Sequence, residues 1–153
     1  MTEIFHTNIN SFYTIAEDAY RNMLAIQTRN RKPNSDKNGY IITFDPNHES
    51  LQNALVSIVF TCIFIEALTH QGITKRYNIQ TFKKLQNTLL ENKLEMIGIT
   101  DSEAIEMTSQ LRKVRNQIVH EKAYFDNGEI KIAEQEAKNA YLLRQKIKTF
   151  FEN

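Results

Sequence analysis

Apolar residues recur every three or four positions from Glu3 to about Asn30, at Ile4, Ile9, Phe12, Ile15, Ala16, Ala19, Met23 and Ile26, with no Pro or Gly between them. That period predicts a long first helix. The pattern then breaks. Arg31 to Phe44 is polar, carries Pro33 and Asn38-Gly39, and closes on the alternation Tyr40, Ile42, Phe44, which predicts a loop or short hairpin. Asp45-Pro46 has the form of an N-cap followed by a first-turn proline, so a second helix is expected from there to about Gln71. Between Ala54 and Leu68 it is apolar on nearly every face, unlike a surface helix, and is expected at the centre of the fold or in a subunit interface.

A third helix is expected over Gln80 to Glu95, with Phe82, Leu85, Leu89 and Leu90 inward. Gly98 stops the chain, and Thr100 with Glu103 has the spacing of a capping box. The fourth helix follows, with Ile105, Met107, Leu111, Val114 and Ile118 facing the core. Asn127-Gly128 marks a turn, with a tiny hairpin expected over Tyr124 to Ile132. A last helix, about Ala133 to Phe151, buries Ala140, Leu143, Ile147 and Phe150. The whole reads as an all-α, antiparallel bundle of about five helices, a single domain over 1–153, with one long loop or short hairpin between helices 1 and 2.

Composition agrees with a folded chain: 41% hydrophobic and 24% charged, with 4 Gly and 2 Pro, excludes a disordered or collagen-like polymer. Cys62 is the only cysteine, so one chain builds neither a disulfide nor a cysteine zinc site, and a reducing, cytoplasmic setting is expected. No charged-then-apolar leader pattern is visible from Met1 to His6. The run Ala54 to Leu68 is shorter than the roughly 20 residues a bilayer span needs, so no membrane association is expected.

The net charge of +1 conceals an uneven distribution. Lys75, Arg76, Lys83, Lys84 and Lys93 face only Glu91 in their stretch, and Arg112, Lys113, Arg115 and Lys122 face only Glu121 in theirs. Such clusters either solvate helix faces or attract phosphate. His6, His48 and His70 have no ligand-like spacing, and no phosphate loop, nucleophile elbow or zinc motif is present.

One constellation carries chemistry: Arg115, Asn116 and His120 at the end of the fourth helix. An Arg-x4-His pair arises by chance about 0.2 times in a chain of this make-up, and about 0.02 times with Asn after the Arg. At 100° per residue Asn116 and His120 stand about 40° apart, whereas Arg115 and His120 are about 140° apart. The latter two therefore meet through the long Arg side chain, a distorted helix end, or a second copy of the motif. Imidazole exchanges a proton near neutral pH, and a guanidinium grips phosphate oxygens and growing negative charge. Together they suit metal-independent cleavage of RNA by its own 2′-hydroxyl, with Asn116 as an orienting group and no cofactor. Arg112, Lys113, Lys122, Lys83 and Lys84 are candidate RNA contacts. Glu66, the only charge between Ser50 and His70, needs a partner if buried: Arg115 or His120, a structural cation elsewhere, or solvent.

Arg115-Asn116-Gln117-Ile118-Val119-His120, near a helix end in an all-α bundle, resembles the HEPN domains (higher eukaryotes and prokaryotes nucleotide-binding), whose mark is Arg-x4 to 6-His, commonly with a polar residue after the Arg. The predicted helices extend the resemblance over most of the chain. It implies a homodimer whose two motifs form one composite ribonuclease site leaving 2′,3′-cyclic phosphate and 5′-hydroxyl ends, in a bacterial toxin or anti-phage effector restrained by an antitoxin protein. Other members of the family are non-catalytic modules that bind nucleotide, RNA or a partner protein. One subgroup continues His-x-Tyr, and a nucleotidyltransferase partner modifies that Tyr; this chain departs from it, with Lys122 at that position and Tyr124 the nearest tyrosine.

Overall fold

Helix α1, Ile9–Arg29, turns Ala16, Ala19, Tyr20, Met23 and Ile26 inward, while Ile15 is left partly exposed. The computed structural model describes residues 8–42, 45–120 and 129–153, so Ile4, Phe44, Lys122 and the Asn127-Gly128 turn lie outside the described residues. Strands β1, Arg31–Pro33, and β2, Tyr40–Ile42, pair antiparallel with Arg31 opposite Ile42, which is the expected short hairpin. Gly39 supplies its positive φ of 138°.

The central element is α2, Glu49–Arg76. It starts later than the Asp45-Pro46 pattern suggested, because His48 takes a left-handed conformation before the first turn. Asp45 still caps it, accepting a 2.9 Å hydrogen bond from the Ser50 N–H. It also continues past Gln71, through Gly72. A Cβ there would meet the Phe151 ring at 3.2 Å and Ile97 at 3.3 Å, so the glycine permits a close approach of the last helix. Small residues do the same toward α1, where the buried Ser57 hydroxyl donates to the Ala16 carbonyl at 3.1 Å.

The expected third helix is two short ones, α3, Ile79–Lys84, and α4, Leu90–Met96. Asn78 caps α3 through its side chain, and the break falls at Asn87-Thr88, residues whose side chains compete with helical hydrogen bonding. The break swings Leu90 and Leu94 into the core and leaves Leu89 exposed, contrary to expectation. Gly98, at φ 100°, closes α4: its N–H reaches the Glu95 carbonyl and the Ile99 N–H reaches that of Leu94, a Schellman pattern.

Helix α5, Ser102–Val119, is capped by Asp101, which accepts from Glu103 and Ala104, rather than by Thr100 one residue earlier. Helix α6, Glu129–Glu152, begins before Ala133, so its first turn replaces the last part of the expected second hairpin. Ala137, Ala140, Leu143 and Ile147 are buried, but Phe150 is 41% exposed. The described residues thus form a bundle of six helices around α2, with the hairpin between the first two.

α2 is longer than its apolar run suggested, and among the described residues it is the one helix long and apolar enough to cross a membrane by length and composition. In the bundle only 44% of that apolar window is buried. α1, α3, α4, α5 and α6 all pack against α2. A stripe of Val56, Val59, Phe60, Ile63 and Ala67 is left partly open, with Phe60 at its edge against the Phe12 ring of α1, 6.3 Å between centres.

Candidate functional site

Residues Arg115, Asn116 and His120 occupy the last turns of α5. The helix stays regular to its end: the His120 N–H still bonds the Asn116 carbonyl at 3.0 Å, and His120 itself is the exposed C-cap. A distorted helix end therefore does not bring Arg115 and His120 together.

Arg115 points toward α2. Its Nη1 donates to Asn116 Oδ1 at 3.0 Å, and its Nη2 lies 3.7 Å from Glu66 Oε2. Asn116 thus orients the guanidinium. Glu66 is less buried than its apolar helix implied, with its side chain 31% exposed, so its pair with Arg115 is partly screened and only loosely holds it. The Arg115 Nε is shielded from solvent and has no hydrogen-bond partner among the described residues. That shielded Nε is not open to a ligand, so the donors left to receive an oxyanion are those of the Nη groups.

Below Glu66 lies Cys62, fully buried, its Sγ 3.9 Å from Glu66 Oε1. Burial, reinforced by the Glu66 charge, pushes the thiol up to about 12, so it is a protonated apolar filler rather than a nucleophile.

The basic residues that cluster in sequence differ in what engages them. Arg112 is engaged by Glu91 of α4 in a two-pronged ion pair at 3.0 and 2.8 Å, and that hydrogen bonding holds the Glu91 carboxyl below its ordinary range despite burial. Arg112 therefore staples α5 to α4. Truncation, Glu91→Ala, is expected to cost about 1–2 kcal/mol once solvent at the exposed edge is allowed for, lowering the melting temperature by about 2–8 °C; a thermal melt checks it. Arg76 is occupied by the Ile97 carbonyl at 2.9 Å, and Lys93 is buried. Lys113, Lys83, Lys84 and Lys75 remain exposed. Among the described residues no three His, Cys, Asp or Glu side chains gather as a metal site.

Sequence reasoning missed Arg144, which is fully buried on α6. Its Nη2 donates to Glu17 at 2.6 Å and its Nη1 to Thr61 at 2.7 Å, and its guanidinium lies 5.4 Å from the ring centres of both Tyr13 and Tyr141. The signal was a lone arginine beside Ala140, Leu143 and Ile147 on the helix's apolar stripe.

No protein-family model, curated protein or solved structure matches this chain.

Proposed function

We propose that this protein is a metal-independent endoribonuclease that works as a homodimer. The observation that carries the reading is the placement of the motif: Arg115 is oriented by Asn116 and Glu66 at the surface, and His120 is exposed at the end of the same helix. The open apolar side of α2 lies on the helix that carries Glu66, and covering it with the same side of a second copy brings two such motifs together about a twofold axis. An isologous contact of this kind removes partly exposed Val56, Phe60 and Ile63 from water.

In the proposed reaction His120 accepts the proton of a ribose 2′-hydroxyl, the 2′-oxygen attacks the adjacent phosphorus, and the bond to the 5′-oxygen breaks as that oxygen takes a proton from an imidazolium. The products are a 2′,3′-cyclic phosphate and a 5′-hydroxyl. Arg115 stabilises the charge that grows on the phosphoryl oxygens. DNA lacks the internal nucleophile and is expected to resist. In a cell such an activity fits a toxin or anti-phage effector held in check by an antitoxin protein. The test is incubation of the purified chain with RNA in excess chelator: strands ending in cyclic phosphate support the reading, and intact RNA overturns it.

The dimer has its own test. Ile63→Glu places a charge on the open side of α2, away from the buried core. It is expected to turn a dimer into a monomer by light scattering and abolish cleavage with no change in helical circular dichroism. A dimer that survives the substitution overturns this interface.

A further inference from the structure

One turn beyond Glu66, about 6 Å along the axis of α2, His70 meets Phe82 of α3 edge-to-face, with ring centres 4.8 Å apart. The two line a cleft of about 480 Å³ between α2, α3 and the start of α1, with Ile79 in its wall and Lys75 and Lys83 on either side. That volume lies in the range of about 300–1,000 Å³ typical of clefts that enclose small ligands. Burial, with Lys93 nearby, holds the His70 imidazole below its ordinary range, so the ring is neutral at pH 7 and acts as a flat, weakly polar wall. An aromatic, largely apolar wall framed by two cations suits a ligand with a planar body and anionic flanks. A base within a phosphodiester strand has that chemistry.

We propose that this cleft seats an unpaired base of the same RNA strand whose scissile linkage lies at Arg115 and His120, with Lys75 and Lys83 holding the flanking phosphates. The proposal rests on the ribonuclease reading and sharpens it. A base paired and stacked in a duplex cannot enter a cleft of this kind, so the substrate is single-stranded RNA or an unpaired loop. It also divides the exposed cations: Lys83 borders the cleft, whereas Lys84 and Lys113 do not line it.

The experiment is fluorescence anisotropy with the full chain and a labelled single-stranded oligoribonucleotide methylated at every 2′-oxygen, which binds but cannot be cut. Phe82→Leu keeps an apolar side chain and removes the ring; it is expected to weaken binding about tenfold. Lys83→Gln, at an exposed position, is expected to flatten the salt dependence of the affinity by about 0.7 in logarithmic slope. A duplex of the same sequence is expected to bind more weakly and to be indifferent to Phe82→Leu. Should Phe82→Leu lower the melting temperature, Lys83→Gln alone decides. Wild-type affinity and salt slope in the folded variants overturn the proposal. A chain that binds the methylated strand in this Phe82- and Lys83-dependent way yet never cuts unmodified RNA sinks the cleavage reading and leaves the cleft standing; one that cuts RNA but ignores both substitutions sinks the cleft alone.

Discussion

Replacing His120 by alanine should lower the rate of RNA cleavage by about 10²–10⁴-fold, and Arg115→Ala by about 10²–10³-fold, with neither changing the fold. His120 is exposed at a helix end, and Arg115 makes one hydrogen bond to its own neighbour and a long contact with Glu66, so neither holds the bundle together. Arg115→Lys should not restore activity, because an ammonium cannot keep one donor on Asn116 while presenting a fork to phosphate. The double variant should be little worse than the poorer single one, since groups acting on one transition state are not additive. Mixing the two inactive chains separates a composite site from two independent ones. If Arg115 of one protomer serves the His120 of the other, a mixed dimer keeps one intact pairing, and an equimolar mixture recovers about a quarter of wild-type cleavage. If each chain carries its own site, mixing recovers nothing. Rates of cyclic-phosphate release, read beside melting curves, decide between these outcomes.

The helices were legible in the sequence where burial is one-sided and the period holds, as in α1 and α5. What escaped was decided by competition between neighbours or by distant partners. Thr100 and Asp101 are both sound caps, and the backbone at Asp101, φ −66° and ψ 108°, settles the choice. Asn87-Thr88 weakens a helix only slightly by propensity, yet the break there is kept because it lets both Leu90 and Leu94 reach the core. The apolar run of α2 announced a central helix but not which side the rest of the chain leaves open, since that depends on where α1 and α6 land. At the site, spacing along one helix identified Arg115, Asn116 and His120, and a charge argument identified Glu66. Side-chain reach lay beyond it: backbone angles set Asn116 beside His120, whereas its amide turns to Arg115. The cleft at His70 and Phe82 joins elements whose relative placement no local pattern encodes.

Arg144→Met should be the most destabilising single substitution away from the apolar core. The guanidinium is fully buried, and it ties α6 to Glu17 of α1 and Thr61 of α2 between two tyrosine rings. Breaking a buried pair by removing one partner costs about 3–5 kcal/mol; because Glu17 keeps its 2.9 Å pair with Arg21, the lower end is expected, about 3 kcal/mol, a fall in melting temperature of about 6–12 °C. Methionine fills most of the volume, so the loss reports charge rather than a cavity. Adding Glu17→Gln removes the carboxylate, which Arg21 alone then partners, and should recover part of the loss. A double variant as unstable as Arg144→Met alone would show that arginine packing, not pairing, is what the site needs. Acid gives an independent readout. Burial alone would raise the Glu17 carboxyl, but hydrogen bonds from Arg144 and Arg21 outweigh it and hold it below its ordinary value of 4.5. A carboxylate lowered on folding contributes stability that is fully present above pH 4.5 and is lost as pH falls through the folded value. The wild-type chain should therefore lose stability in acid more steeply than Arg144→Met, and the gap between their melting temperatures should close as Glu17 protonates.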